Sequence, residues 1–134
     1  MTMPFATEKW SLELPVNWGF VDNDSGCFTF QAHTPVGALQ ISSAEKEYEN
    51  VTESDLFEFA KDRIGEKSFD KVTCGDFSGI CVYYSIENVF WMEWWLSAGK
   101  TMLYITYNVE EQDKEEERQV VVDILETLTL RSLE

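Results

Sequence analysis

Residue types that often perform nucleophilic or thiol chemistry are scarce in this chain. It contains one histidine, His33, and three cysteines, Cys27, Cys74 and Cys81. A Cys–His pair would need the fold to bring these residues together, because catalytic partners are neighbours in space rather than in sequence. Cys74 and Cys81 flank a glycine bend and match neither the C-x-x-C spacing of zinc sites nor a redox motif. The sequence therefore predicts no catalytic residue and no metal ligand.

Carboxylates and glycines add no motif. With 25 Asp and Glu residues in the chain, carboxylate pairs suited to acid–base chemistry or calcium binding arise by chance. The sequence has no Asp-rich calcium loop with the glycine that such a loop requires. Gly75 and Gly79 bracket an acid and a phenylalanine, and no Lys-Ser or Lys-Thr follows, so they form no phosphate-binding loop. We expect no cofactor.

One group of residues combines aromatic rings with a carboxylate. Residues 90–96 include three tryptophans, and residues 101–109 form a second segment rich in β-branched and aromatic residues. Between them, Gly99–Lys100 fits a two-residue type II′ turn, which needs glycine first. The sequence therefore predicts a hairpin with a fixed register.

This register decides which side chains share a face. One face carries the pairs Leu96–Leu103, Trp94–Ile105 and Met92–Tyr107, and the other carries Trp95–Tyr104 and Glu93–Thr106. The candidate binding residues lie on the second face and are Trp91, Glu93, Trp95, Met102 and Tyr104. Because both faces are apolar, the simplest account is a sheet covered on both sides, at least in part, by helices. The alternative is an exposed aromatic groove that binds a partner.

The net charge limits the classes of partner. The formal charge is −15, from 25 acidic and 10 basic residues. Nucleic acids and anionic membranes are bound through clusters of Lys and Arg, so we expect neither as a partner. A protein with a basic surface fits the sign of the charge. A high net charge also serves solubility alone, and that simpler explanation stays open.

The hydrophobic periodicity predicts the elements that position the hairpin. Residues 10–14 alternate as a strand that Pro15 stops, and residues 27–43 alternate as a hairpin around a turn at residues 34–37. Four more strands follow the first helix, at residues 72–74, 80–87, 90–96 and 101–109. We therefore expect the order β-β-β-α-β-β-β-β-α.

Two helices are predicted. Thr52 as N-cap with Asp55, and Val51 placed to contact Leu56, start the first helix at Glu53. Its apolar face is expected to comprise Leu56, Phe57, Phe59, Ala60 and Ile64, and Gly65 ends it with a left-handed cap. The second helix is expected at residues 112–125, with the acids of residues 110–117 complementing its N-terminus. Its apolar stripe is Val121, Ile124, Leu125 and Leu128.

These elements predict an α+β fold with a largely antiparallel sheet of six to seven strands flanked by two main helices. The length of 134 residues and the hydrophobic content of 44% favour a single domain over residues 1–134. Three cysteines cannot all pair within one chain, and no stretch has the length of a membrane span. We expect a cytoplasmic protein.

Several patterns resemble the PsbP-like superfamily. They are W-x-L-x-L-P-x-x-W at residues 10–18, G-A-L-Q-I-S at residues 37–42, the helix after Thr52 and the G-x-x-x-G bend before two long strands. The superfamily includes an extrinsic photosystem subunit, a Ran-binding nuclear import factor, the bacterial DcrB-type proteins and the Eag-type chaperones of type VI secretion effectors. W-M-E-W-W at residues 91–95 and T-Y-N at residues 106–108 resemble a bacterial branch. The resemblance implies a sheet flanked by helices and a binding role, and it carries over no functional residue.

The sequence thus predicts a non-enzymatic module that binds a polypeptide through sheet aromatics with an acidic rim. The expected partner has apolar and basic surface, as a secreted effector or a toxin would, and the role is that of an adaptor, an effector chaperone or an immunity protein. The alternative is a small-molecule carrier or weak hydrolase that uses the same pocket with Glu93, His33 or a cysteine. The chain is expected to be a monomer or a homodimer with two-fold symmetry.

Overall fold

The computed structural model describes residues 1–131 of the chain. Its strands are β1 (Thr2–Ala6), β2 (Trp10–Pro15), β3 (Trp18–Asp22), β4 (Cys27–Ala32), β5 (Ala38–Glu45), β6 (Asp70–Cys74), β7 (Phe77–Ile86), β8 (Val89–Ala98), β9 (Thr101–Glu110) and β10 (Thr129–Leu130). Its α-helices are α1 (Glu53–Ile64) and α2 (Arg118–Glu126), and a 3-10 helix occupies Glu111–Asp113.

The strands form two antiparallel sheets. The larger has seven strands in the order β3-β4-β5-β9-β8-β7-β6, and the smaller has three in the order β1-β2-β10. Helix α1 packs on one face of the large sheet, which we call the α1 face, chiefly over β7 and β8. Helix α2 and the small sheet cover the opposite face, which we call the core face. The predicted α+β class and its two main helices are confirmed, whereas the second sheet was not predicted.

The core face contains most of the buried apolar side chains. Trp10, Phe30 and Tyr107 are among the largest side chains with no exposed surface. They form one continuous cluster with apolar residues of α2, such as Val121. Burial of this cluster is the main source of stability, because apolar burial contributes about 25 cal/mol for each Å² removed from water.

The start of α1 confirms its predicted capping. The Thr52 hydroxyl accepts a hydrogen bond from the Asp55 backbone N–H, and the Asp55 carboxylate accepts one from the Thr52 N–H. Gly65 ends the helix with φ of 56° and donates its N–H to the Lys61 carbonyl. Its ψ of −123° lies outside the left-handed helical region that we expected.

The predicted apolar face of α1 was too wide. Leu56, Ala60 and Ile64 are buried, but Phe57 and Phe59 are 45% and 63% exposed. Residues at spacings of four share one line along a helix, and α1 contacts the sheet along that line only. The two phenylalanines therefore lie at its margins.

The second helix starts later than predicted. A 3-10 turn, Glu111–Asp113, takes the place of its first half, and α2 begins at Arg118. No acidic residue lies in its first turn; the acids precede it, and the N-cap residue Glu117 makes no side-chain capping hydrogen bond. The predicted apolar stripe is confirmed, since Val121, Ile124, Leu125 and Leu128 are all buried.

Five strands precede α1 where we expected three, because β1 and β3 were missed. Strand β1 contains Pro4 and buries only Phe5, and β3 buries only Trp18. Edge strands such as these show little alternation, because a single side chain reaches the core. The predicted hairpin of residues 27–43 is confirmed as the β4–β5 pair.

The register of the aromatic hairpin agrees with the prediction. Trp95 pairs with Tyr104, Glu93 pairs with Thr106, and the core-face pairs are also as expected. Gly99 has φ of 57°, as the first position of a type II′ turn requires.

Candidate functional site

Glu93 is the centre of the candidate site and is completely buried. It lies on β8 in the α1 face, opposite Val82 of β7 on one side and Thr106 of β9 on the other. An isolated buried carboxylate is strongly destabilising, so its negative charge requires partners. The sheet and α1 both supply them.

The carboxylate of Glu93 is held from three directions. Tyr84 of β7 donates its hydroxyl to Glu93 Oε2 at 2.7 Å, and Tyr104 of β9 donates its hydroxyl to Oε1. Both tyrosines lie diagonal to Glu93 on the neighbouring strands, which is within the reach of long side chains. Arg63 of α1 reaches Oε1 from above, through Nη2 at 2.8 Å and Nε at 3.1 Å. We call Arg63, Tyr84, Glu93 and Tyr104 the Glu93 cluster.

Within the Glu93 cluster, the pKa values of the two tyrosines and of Arg63 are raised. Burial, followed by the hydrogen bond to Glu93, raises the pKa of Tyr84 to about 12 and also raises the pKa of Tyr104. The hydrogen bond to Glu93 raises the pKa of Arg63. The tyrosines therefore stay neutral and the guanidinium stays charged at neutral pH.

These contacts show what Glu93 can do chemically. Its two oxygens accept four hydrogen bonds from Arg63, Tyr84 and Tyr104. A carboxylate held in this way joins α1 to the sheet. Lys67, which follows α1, adds to the same attachment with its ammonium 4.8 Å from the centre of the Tyr84 ring.

The other predicted site residues differ in exposure. Trp95 is 3% exposed and packs with Leu56 and Ala60 beneath α1. Trp91, Met102 and Tyr104 are half-buried. The Tyr104 ring lies 5.4 Å from the Trp95 ring, centre to centre. The structure thus brings Trp95 and Tyr104 together beside Glu93, and it places Trp91 two residues along β8.

An open cleft of 350 Å³ runs along one side of α1. It is lined by Phe59, Arg63, Trp95, Met102 and Tyr104. Phe59 is the most exposed aromatic side chain of α1, so the cleft has an aromatic wall on the helix side and an aromatic floor on the sheet side. We call Phe59, Trp91, Met102 and Tyr104 the aromatic strip.

Beyond the cleft, no helix within residues 1–131 covers the α1 face, and on strands β4, β5 and β9 the only charged side chain that faces this way is Glu110, at the end of β9. Uncharged polar residues that face this way on β4, β5 and β9 are Thr29, Gln31, Gln40, Ser42, Asn108 and the buried Thr106, and Cys27, Ala38 and Ala44 share the face. Over the whole chain, by contrast, 26% of the residues are charged. A largely uncharged sheet surface beside exposed aromatic rings costs less to desolvate than a charged one and suits contact with another molecule.

The core face has a buried carboxylate of its own, that of Glu117. Its Oε1 accepts the Tyr107 hydroxyl at 2.8 Å and the Gly37 backbone N–H at 3.0 Å. Burial, then the bond to Glu117, raises the pKa of Tyr107. Among the described residues, no Lys or Arg forms an ion pair with Glu117. Its hydrogen-bond donors, the Tyr107 hydroxyl and the Gly37 N–H, are both neutral.

The groups that the hydrolytic alternative would need are dispersed. His33 is exposed just beyond one end of β4, and Cys27 begins the same strand at its other end. Burial raises the pKa of Cys74 to about 11 and that of Cys81 to about 12. Both thiols are thus protonated at neutral pH, whereas a nucleophilic cysteine needs a lowered pKa.

Within residues 1–131, no group of three or more His, Cys, Asp and Glu residues is arranged to hold a metal ion. The helices over the same range are too short or too polar to cross a membrane.

Sequence analysis did not identify Arg63, Tyr84 or Phe59 as site residues, although it assigned Phe59 to the apolar face of α1. Arg63 and Glu93 are 30 positions apart, and only the placement of α1 over β7 and β8 brings them together. One signal was available: a lone acid on an apolar strand demands a partner. Arg63 lies three residues after the predicted core residue Ala60, and residues at this spacing are neighbours on a helix surface, so Arg63 lies beside the inward face of α1.

The sequence matches no protein-family model and no curated protein sequence. The fold is similar to solved structures at low sequence identity. A crystal structure from Bacteroides thetaiotaomicron has a TM-score of 0.72 and 17% identity, over 96% of this chain and 48% of that one. This chain therefore spans about half the length of the Bacteroides protein.

A second similar structure is LpqN of Mycobacterium tuberculosis, a protein involved in cell envelope biogenesis. Its TM-score is 0.60 at 13% identity, over 98% of this chain and 86% of LpqN. The solution structure of the PsbP protein CyanoP from Synechocystis has a TM-score of 0.48 at 10% identity, over 96% of this chain and 92% of CyanoP. At such low identities, the similarities to the Bacteroides protein and to LpqN show a shared fold alone. The sheet-and-helix arrangement agrees with the fold that the PsbP-like resemblance implies, and the DcrB-type or Eag-type branch stays a prediction.

Proposed function

We propose that this chain is a non-enzymatic module that binds another polypeptide at the aromatic strip and the uncovered part of the α1 face. One observation supports this proposal above the others. Phe59, Trp91, Met102 and Tyr104 keep exposed surface beside an uncharged sheet face, although the protein is strongly charged elsewhere. Aromatic side chains contribute much of the binding energy of protein interfaces.

The charge around the strip supports a partner with basic surface. At the Trp91 end, Glu87 and Glu110 are both exposed and flank the beginning of β8 and the end of β9. A partner with an apolar centre and Lys or Arg at its margin would match the aromatic strip and this rim together. Its affinity would fall as salt is added, because exposed ion pairs are screened within a Debye length.

Among the specific roles, we propose an adaptor, an effector chaperone of the Eag type or an immunity protein, each acting on a partner with apolar and basic surface. We also propose the cytoplasm as its compartment. The three cysteines support a reducing environment, since all are unpaired and Cys74 and Cys81 are buried. Cell fractionation tests the compartment directly.

Site-specific photo-cross-linking tests the surface. A photoreactive phenylalanine analogue at position 59 would lie in the wall of the cleft, and one at Tyr48, which is 84% exposed, provides the control. We expect cells of the source organism to yield a defined cross-linked polypeptide from position 59 and none from position 48.

The second step uses variants that keep the Glu93 cluster intact. Trp91→Ala and Met102→Ala, checked for folding by circular dichroism, are expected to reduce the position-59 cross-link at least tenfold. Retention of the cross-link in both folded variants, or equal cross-linking from positions 59 and 48, would contradict the proposal. A cross-link between two copies of this chain would instead assign the strip to a homodimer.

A further inference from the structure

The two edges of the seven-stranded sheet are protected to different degrees. Edge strands have unpaired backbone groups, and proteins usually guard them with charged side chains, proline or a bulge. The β6 edge carries Asp70 and Lys71. The β3 edge, W-G-F-V-D, has no charge before Asp22 and no proline. Its Phe20 and Val21 are 54% and 59% exposed.

The hydrogen bonds at the two ends of the β3–β4 pair show which backbone groups of β3 are free. The His33 N–H donates to the Asn17 carbonyl at 2.8 Å, and the Asn23 N–H donates to the Cys27 carbonyl at 2.9 Å. In an antiparallel pair, hydrogen-bonded and non-hydrogen-bonded residues alternate. The odd-numbered residues of β3 therefore bond to β4.

The even-numbered residues of β3 direct their backbone N–H and C=O groups outward. They are Trp18, Phe20 and Asp22, and β3 has no strand on its other side. No backbone hydrogen bond to these groups is formed within residues 1–131. Phe20, in the middle, thus presents a donor and an acceptor to an incoming strand.

The side chains beside this edge are apolar on both faces. The Phe20 ring lies on the core face, 4.7 Å from Phe5 and 6.5 Å from Phe30, centre to centre. Val21 points to the opposite face, where it borders the uncovered side chain of Thr29. An added strand would extend the aromatic cluster on one side and the uncharged face on the other.

Charge favours a partner segment over a second copy. Asp22 and Asp24 are exposed at the end of β3, and each copy carries a charge of −15. Joining two copies edge to edge would bring two strongly negative molecules together, which costs free energy. A segment with Lys or Arg opposite Asp22 removes that cost.

We propose that the β3 edge is a second binding site, which takes an extended segment of a partner polypeptide as an added antiparallel strand. The segment carries apolar side chains opposite Phe20 and Val21 and a basic residue opposite Asp22. This site is distinct from the aromatic strip, and its test does not depend on the function proposed above.

The test mixes the full chain with a defined probe peptide. The probe is an acetylated and amidated nonapeptide of alternating valine and threonine with lysine at both ends. Fluorescence anisotropy measures affinity, and amide hydrogen exchange measures protection. We expect the peptide to bind and to slow exchange at Phe20 and Asp22. Phe20→Pro removes the ring and an outward N–H, whereas Phe20→Val removes the ring and keeps the N–H. Phe20→Pro should therefore weaken binding about tenfold, while Phe20→Val stays within about threefold.

Two further comparisons keep the test decisive. Asp22→Asn retains a side-chain oxygen but loses the charge, so it should weaken binding of the lysine-ended peptide and not of a glutamate-ended peptide. Trp91→Ala should leave the affinity for the lysine-ended peptide unchanged. The proposal is overturned if the wild-type chain does not bind the peptide, if Phe20→Pro binds as well as Phe20→Val, or if amides 20 and 22 are not protected. It is also overturned if sedimentation shows a homodimer that Phe20→Pro abolishes.

Discussion

The two faces of the seven-stranded sheet are covered to different extents. On the core face, α2 and the small sheet enclose a continuous apolar cluster that includes Trp10, Phe30 and Ile105. On the α1 face, a single helix covers β7 and β8 and leaves β4, β5 and β9 open. The difference separates two regions: the core face supplies most of the stability, and the α1 face leaves exposed the surface at which we propose binding.

The buried glutamate of each face shows the same division. Glu117 joins Tyr107 and the Gly37 backbone, which are all parts of the closed core. Glu93 joins a helix to a sheet at the boundary of the covered area, and its cation, Arg63, is 53% exposed on its side chain. A half-exposed cation at the end of a cleft can be reached by a partner, whereas Glu117 cannot.

The largest expected loss of stability comes from a substitution in the core face. Phe30→Ala removes a side chain with no exposed surface and should cost about 3–5 kcal/mol in the free energy of unfolding, from lost burial and the cavity left behind. Phe59→Ala, on α1, removes a ring that is 63% exposed and should cost about 0.5 kcal/mol or less. Urea unfolding measures both. Equal losses would refute the division between the faces.

The next effect tests the attachment of α1. Glu93→Ala leaves Arg63, Tyr84 and Tyr104 without their common acceptor, which should cost about 2–3 kcal/mol because two half-buried hydroxyls and a half-exposed guanidinium lose their partner. Glu93→Gln keeps the shape and one acceptor oxygen and should cost less. Hydrogen exchange should show α1 opening more readily than α2 in Glu93→Ala. Uniform loss of protection over both helices would argue against a local attachment.

Local signals made parts of the fold predictable. The N-cap at Thr52 and the glycine of the Gly99–Lys100 turn each fix geometry within a few residues, so the start of α1 and the hairpin register follow from the sequence. The apolar stripe of α2 is likewise a local pattern, even though the start of that helix was predicted too early.

Non-local features were not predictable in the same way. Strand β1 pairs with β2 and so forms a second sheet, although Phe5 is the one side chain that it buries. Glu93 was identified as a candidate, but its partner Arg63 belongs to another element and becomes a neighbour only through packing. The exposure of Trp91 against the burial of Trp95 also depends on where α1 ends, which a strand pattern does not encode.

A smaller effect probes the Glu117 contact. A Cβ atom at Gly37 would lie 2.5 Å from the Tyr107 hydroxyl oxygen and 2.7 Å from the Asn108 carbonyl oxygen. Gly37→Ala should therefore cost about 1–3 kcal/mol through overpacking. In Gly19→Ala the new Cβ meets only His33 side-chain atoms at 3.6 Å or more and should cost less. Thermal unfolding of the two variants compares them, and equal melting temperatures would contradict the crowding at Gly37.

Alkaline pH should loosen the α1 face. The pKa of Tyr84 is raised to about 12, above the value near 10 of an unfolded tyrosine. The stability that its neutral form contributes is complete below pH 10 and is lost as the pH rises from 10 through 12. Tyr84→Phe should reduce this alkaline loss, and Tyr48→Phe, at an exposed position, should not. If Tyr84→Phe loses as much stability between pH 10 and 12 as the wild-type protein does, Tyr84 does not have this role.

The last comparison separates two tryptophans that lie on the same face of β8. Trp95 is 3% exposed under α1, whereas Trp91 is half-buried beyond the end of the helix. Trp91→Ala should thus lower the free energy of unfolding by about 1 kcal/mol, against about 3–5 kcal/mol for Trp95→Ala. If the α1 face is a binding surface, Trp91→Ala should lose partner cross-linking while its melting temperature stays near that of the wild type. A Trp91→Ala variant that loses stability as Trp95→Ala does would mean that Trp91 belongs to the core, and the aromatic strip would then end at Tyr104.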